Sequence, residues 1–170
     1  MKRLYLLSLF ALTLTSNSFG QNKIKASQPK IATSQLDKLI GTWRLIEYSD
    51  LDSATSNWTY PYGKNPKGYF TYTKSGIVNI NISTDTPLKF SEDSAKKYHI
   101  NLLNWVDHFA LGYFGTYTVD FNKSIVTHHV KGGSLPWYID TDQPRQFILK
   151  GDTLIIGDSK TWKRILIKTD

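Results

Sequence analysis

Three side chains, Tyr62, His128 and Arg145, carry groups able to move a proton or hold an anion. Brought around one cavity they would supply an acid, a base and an anion clamp, the equipment of a small isomerase, cyclase or hydratase acting on an apolar substrate. His128 is followed directly by His129, and neighbouring side chains on a strand point to opposite faces, so the two do not ligate one metal in the usual geometry. His128 shares its side with Val126 and Val130 and is predicted to face inward, with Tyr62 or Arg145 as hydrogen-bond partner; a satisfied core histidine is the plainer reading. Glu47 alternates with Trp43 and Leu45, which makes it a candidate inward carboxylate that would need Arg145 or a histidine beside it. Arg145 itself either anchors a carboxylate inside the fold or ends a strand in solvent. In the loop over residues 61–68, the phenol of Tyr62 and the amide of Asn65 could fix the polar end of a ligand; the same loop reads equally as a rigid connector.

Several chemistries are excluded. His99 and His108 lie nine positions apart on a predicted helix, hence on opposite sides, and neither opens a His-Glu-x-x-His pattern, so no metal site and no cofactor are expected. No serine stands in Gly-x-Ser-x-Gly, and no acid pair has a glycosidase arrangement. The absence of cysteine removes disulfides, thiolate metal sites and cysteine catalysis. The net charge is +7, and taking Lys2 and Arg3 away leaves +5, dispersed among acids, which is a solvated surface rather than a stripe that tracks phosphates. Nucleic acid is therefore not an expected partner.

These groups must be positioned by a chain of 170 residues, room for one domain with a sizeable core. Residues 1–20 read as a cleavable signal peptide: Lys2 and Arg3, an apolar run too short to span a bilayer, and small Gly20 before Gln21. A secreted or periplasmic protein is expected. Residues 21–35 are polar and without periodicity, a flexible leader, and residues 36–170 form the domain. Within it, Gly41-Thr42-Trp43 opens a strand over residues 42–48, and strands follow at 69–73, 77–82, 113–121, 125–131, 145–149, 153–156 and 162–167. One helix is predicted over residues 91–109, with Ser91 as its N-cap, Glu92 and Asp93 in its first turn, and an apolar stripe from Ala95 to Phe109. Some eight to ten extended segments with no βαβ alternation predict a closed antiparallel meander, all-β, with one inserted helix.

The blocks Leu39-Ile40-Gly41-Thr42-Trp43-Arg44-Leu45, Tyr60-Pro61-Tyr62-Gly63-Lys64-Asn65-Pro66-Lys67-Gly68-Tyr69, Gly115-Thr116-Tyr117-Thr118-Val119, Val126-Thr127-His128-His129-Val130 and Gly151-Asp152-Thr153-Leu154 resemble, in the same order, the lipocalin-like domain family of bacteria and fungi. The resemblance implies a calycin-type barrel of about eight strands with Trp43 at its closed end and an arginine of the last strand, Arg164, packed over that indole. Where the family continues the segment after the paired histidines as an alternating strand, this chain departs with Lys131-Gly132-Gly133. The function expected from barrel and likeness is binding of a small apolar or amphipathic molecule in the lumen by Tyr62, Asn65, Tyr69, Tyr117, His128 and Arg145, with the helix as cover. The alternatives are the small enzyme described above and a structural envelope protein without ligand.

Overall fold

The structure, a computed structural model, describes residues 30–87, 91–97 and 110–169. The signal segment 1–20, most of the leader and the helical stretch predicted over residues 98–109 lie outside the described residues. Nine strands follow one another: β1 Gly41–Leu51, β2 Trp58–Thr59, β3 Lys67–Tyr72, β4 Ile77–Ser83, β5 Ala110–Asp120, β6 Ile125–Gly133, β7 Asp142–Lys150, β8 Thr153–Ile156 and β9 Trp162–Lys168. Each pairs antiparallel with its neighbours in the order β2-β1-β3-β4-β5-β6-β7-β8-β9, and β1 also pairs with β9. Eight strands thus close into a barrel, and the two-residue β2 extends the β1 end. The expected closed antiparallel barrel is what the chain forms.

Alternation explains which side chains fill it. Along β4, Val78, Ile80 and Ile82 are buried while Ile77, Asn79 and Asn81 are exposed; along β6, Val126, His128 and Val130 are buried. On β1 the alternation changes phase. Leu45 pairs with Leu166 and Glu47 with Ile165, so Ile46 is an extra residue in the ladder, a β-bulge. A one-residue slip exchanges the two faces. Before the bulge Trp43 and Leu45 point inward; after it Tyr48 does, and Glu47 is turned outward. Glu47 meets Lys163 at 3.2 Å and accepts a hydrogen bond from Ser49 Oγ at 2.8 Å, which corrects the expectation of an inward carboxylate.

Helix α1, Lys30–Leu39, begins inside the segment read as a flexible leader. Its last turn packs Leu36 and Leu39 against the core, and the Leu39 carbonyl accepts the Trp43 indole N–H at 2.8 Å. Trp43 is fully buried. The cation above it is Lys168, 5.3 Å from the ring centroid, whose ammonium donates to the Lys38 carbonyl at 3.1 Å. A cation at a helix C-terminus is favoured by the helix dipole. Arg164 is not there: Trp43 pairs with Lys168 and Tyr48 with Arg164, so the arginine lies four residues along the strand, about 13 Å away at ~3.3 Å per residue.

Helix α2, Glu92–Lys97, starts where predicted, and Ser91 Oγ accepts the Ser94 amide N–H at 3.2 Å. Strand β6 runs through Lys131-Gly132-Gly133 rather than stopping before the glycines. It does so by an irregularity at Lys131, the Gly115 pair being with Val130 and the Phe114 pair with Gly132. The Phe114 ring lies across Gly132, where an added Cβ would stand 2.6 Å from the ring.

Candidate functional site

The half of the barrel beyond Trp43 and Leu45 is hollow. A cavity of about 240 Å³ is walled by Phe70, Ile80, Ile82, Leu111 and Ile156, and its polar edge is made by Tyr48, Tyr113, His128, Tyr138, Arg145, Trp162 and Arg164. Every wall residue is the inward member of its strand's alternation, so the cavity follows directly from register.

His128 marks the boundary between the filled half and the hollow one. It is fully buried, with Nε2 2.9 Å from the Tyr72 hydroxyl and Nδ1 2.8 Å from the Tyr113 hydroxyl. Tyr113 faces the cavity, whereas Tyr72 lies on the sealed side, edge-to-face with Tyr117 at 5.1 Å. Burial first, then the charge of Arg145 and of His129, lowers the His128 pKa from 6.5 to about 3. The imidazole is neutral at neutral pH, with one nitrogen donating and the other accepting. Burial pushes both phenols well above their ordinary range, with the Arg145 guanidinium opposing the rise at each.

Two guanidiniums stand over the cavity and are held differently. Arg164 donates to the Ser49 carbonyl and to Asp50 Oδ1, both at 2.8 Å, and lies 3.2 Å over the Tyr48 ring. Its charge is matched by a carboxylate. Arg145 donates to Gln143 Oε1 at 2.9 Å, to the Tyr138 hydroxyl at 3.3 Å and to the Pro144 carbonyl at 3.3 Å, all neutral acceptors. Among the described residues no carboxylate lies within ion-pair distance of it. Trp162 and Tyr138 flank it, with ring centroids 5.6 and 5.8 Å from the guanidinium carbon.

Of the sequence-predicted site residues, His128 and Arg145 line the cavity and the other four do not. Tyr62 is buried, packed edge-to-face on Tyr48 at 4.7 Å. Asn65 is exposed, Tyr69 is half exposed on the outer face of β3, and the Tyr117 hydroxyl donates to the Thr73 carbonyl at 2.9 Å in the filled half. The loop over residues 61–68 is organised by Asp85. Its amide bonds the Tyr62 carbonyl at 3.1 Å, and its carboxylate is held below its usual range by the Thr86 hydroxyl and by backbone N–H groups that include those of Asn65 and Lys64. Gly63, at φ +81°, leaves room for that carboxylate; an added Cβ would stand 2.0 Å from it. That is the rigid connector.

Sequence reasoning missed Tyr48, Tyr113, Tyr138, Trp162 and Arg164. For Tyr113 the inward alternation of β5 was available, whereas Tyr48 needed the bulge. It also missed an outer-face line of Thr118, His129 and Asp142. Thr118 Oγ1 stands 3.0 Å from His129 Nε2, and His129 Nδ1 stands 2.6 Å from Asp142 Oδ1. Hydroxyl, imidazole and carboxylate follow the order of an acyl-transfer triad. They lie on an open sheet face whose amides are committed to the β5–β6 and β6–β7 ladders, with no paired N–H donors to hold an oxyanion.

The family model described as a lipocalin-like domain matches residues 40–170. No curated protein matches the chain.

Proposed function

The chain belongs to the lipocalin-like domain family, and on that premise we propose that it is a carrier which takes a small apolar or amphipathic molecule into the hollow half of its barrel. The observation that supports this is the cavity of about 240 Å³ with an apolar wall and a few polar groups gathered at one side. That is the usual make-up of a small-molecule site, though its volume falls just below the roughly 300–1,000 Å³ such sites span. The guest is correspondingly small. Acid–base catalysis is less well supported: a useful base has a pKa near the working pH, whereas His128 is held near 3 and the phenols beside it are raised. The reading includes export, residues 1–20 acting as a signal peptide cut between Gly20 and Gln21. A mature protein from its own source whose intact mass begins at Gln21 is the outcome that supports export; an uncut chain overturns it.

Native mass spectrometry of that same protein is expected to reveal a retained organic molecule. An Ile82→Trp variant, which fills the cavity, is expected to keep its β circular dichroism and lose the adduct. A protein free of adduct that also binds no apolar probe such as octan-1-ol would overturn the carrier reading.

A further inference from the structure

The direction of the hydrogen bonds around His128 follows from burial. Tyr72 is wholly buried, and among the described residues its hydroxyl meets one polar atom, His128 Nε2 at 2.9 Å. A buried hydroxyl gives its hydrogen to the acceptor it has, so Tyr72 donates to Nε2. The neutral ring then carries its hydrogen on Nδ1, which donates to the Tyr113 oxygen at 2.8 Å. The Tyr113 hydrogen is left free to turn into the cavity that this residue lines.

Arg145 lines the same cavity. Its guanidinium has five N–H groups, and three contacts to neutral acceptors do not use them all. Its charge has no carboxylate partner among the described residues, in contrast to Arg164, which has Asp50 at 2.8 Å. One unmatched positive charge and one free hydroxyl donor therefore stand on the polar edge of a space whose opposite wall, Phe70, Ile80, Ile82, Leu111 and Ile156, is apolar. We infer that the guest is a compact monocarboxylate: its carboxylate accepts from Arg145 and from the Tyr113 hydroxyl, and its tail lies along Phe70, Ile80, Ile82 and Ile156. A single unmatched cation fits a monoanion better than a phosphate dianion, and a guanidinium offers a carboxylate two parallel donors. The inference deepens the carrier reading and rests on it.

Isothermal titration of the full mature chain with octanoate and with octan-1-ol separates the two, because the probes share a tail and differ in the charge of the head. Octanoate is expected to bind at least tenfold more tightly. Arg145→Gln is expected to remove that tenfold preference, octanoate falling to about the affinity of octan-1-ol, and Tyr113→Phe to reduce the preference about threefold. Arg145→Lys, which keeps the charge and loses the fork, is expected to fall between wild type and Arg145→Gln; should Arg145→Gln fail to fold, Arg145→Lys and Tyr113→Phe carry the test. Equal affinity for the two probes, or variants that weaken both equally, overturns the carboxylate inference and leaves the carrier reading standing. Binding of neither probe overturns both.

Discussion

His128 is a histidine that folding forbids to take a proton. In the unfolded chain its pKa is 6.5; in the barrel, burial and then Arg145 and His129 bring it to about 3. Below the unfolded value the unfolded chain binds a proton that the folded chain refuses, so this contribution to stability is fully present above about pH 6.5 and is lost as pH falls toward 3. The slope is about 1.4 kcal/mol per pH unit, roughly 2 kcal/mol between pH 6.5 and 5. Urea unfolding at pH 7 and pH 5, both above the carboxylate range, is expected to show this loss in the wild type. His128→Gln is expected to be less stable at pH 7 and to have a flatter dependence. Equal slopes in the two proteins would show that His128 is not the group responsible. The inward direction of His128 was legible from Val126 and Val130 on either side of it. Its partners were not: Tyr72 and Tyr113 come from strands 56 and 15 residues away, and only the register of three strands brings them to its two nitrogens.

At the scale of the element, β1 joins two kinds of strand through the bulge at Ile46. Its first half sends Trp43 and Leu45 into the packed end; its second half sends Tyr48 to the cavity. Period-two reading assumes an unbroken ladder, and that is why Glu47 was expected inside; the expectation of Arg164 over Trp43 came from the family resemblance, and the register of β1 with β9 places Lys168 there instead. Nothing local to Leu45-Ile46-Glu47 announces an extra residue; the pairing with β9 creates it. Helix α1 was missed for a related reason, since Leu36 and Leu39 of its last turn find their use only against the barrel core. One link between helix and barrel is the buried bond from the Trp43 indole to the Leu39 carbonyl, beside the more exposed one from Lys168 to Lys38. Trp43→Phe keeps a ring in place but leaves that buried carbonyl unpaired, an expected cost of about 1–3 kcal/mol in denaturant unfolding. Octanoate binding at the other end is expected to be unchanged, and a loss of binding as large as the loss of stability would show that the two ends are not independent.

For the whole molecule, strand count, antiparallel meander and closure were readable from alternation and turn residues, because all but two of the pairings join strands consecutive along the chain. The exceptions among the described strands are β1 with β3, which passes over the two-residue β2, and the seam of β1 with β9, in which Trp43 meets Lys168. That seam could be inferred only from the need to cover two edges, and its register, which decides what faces the cavity, could not be inferred at all. Until residues 162–168 have been made, the flank of β1 that they cover is a bare row of amide and carbonyl groups, ready to zip onto a stranger. A chain ending at Thr161 is expected to form sedimentable aggregates on refolding, and recovery of a soluble monomer would contradict this. In biogenesis the last seven-residue ribbon is thus the molecule's safeguard against its own kind: a copy that lacks it has a sticky margin, and a copy that has it offers its siblings none there.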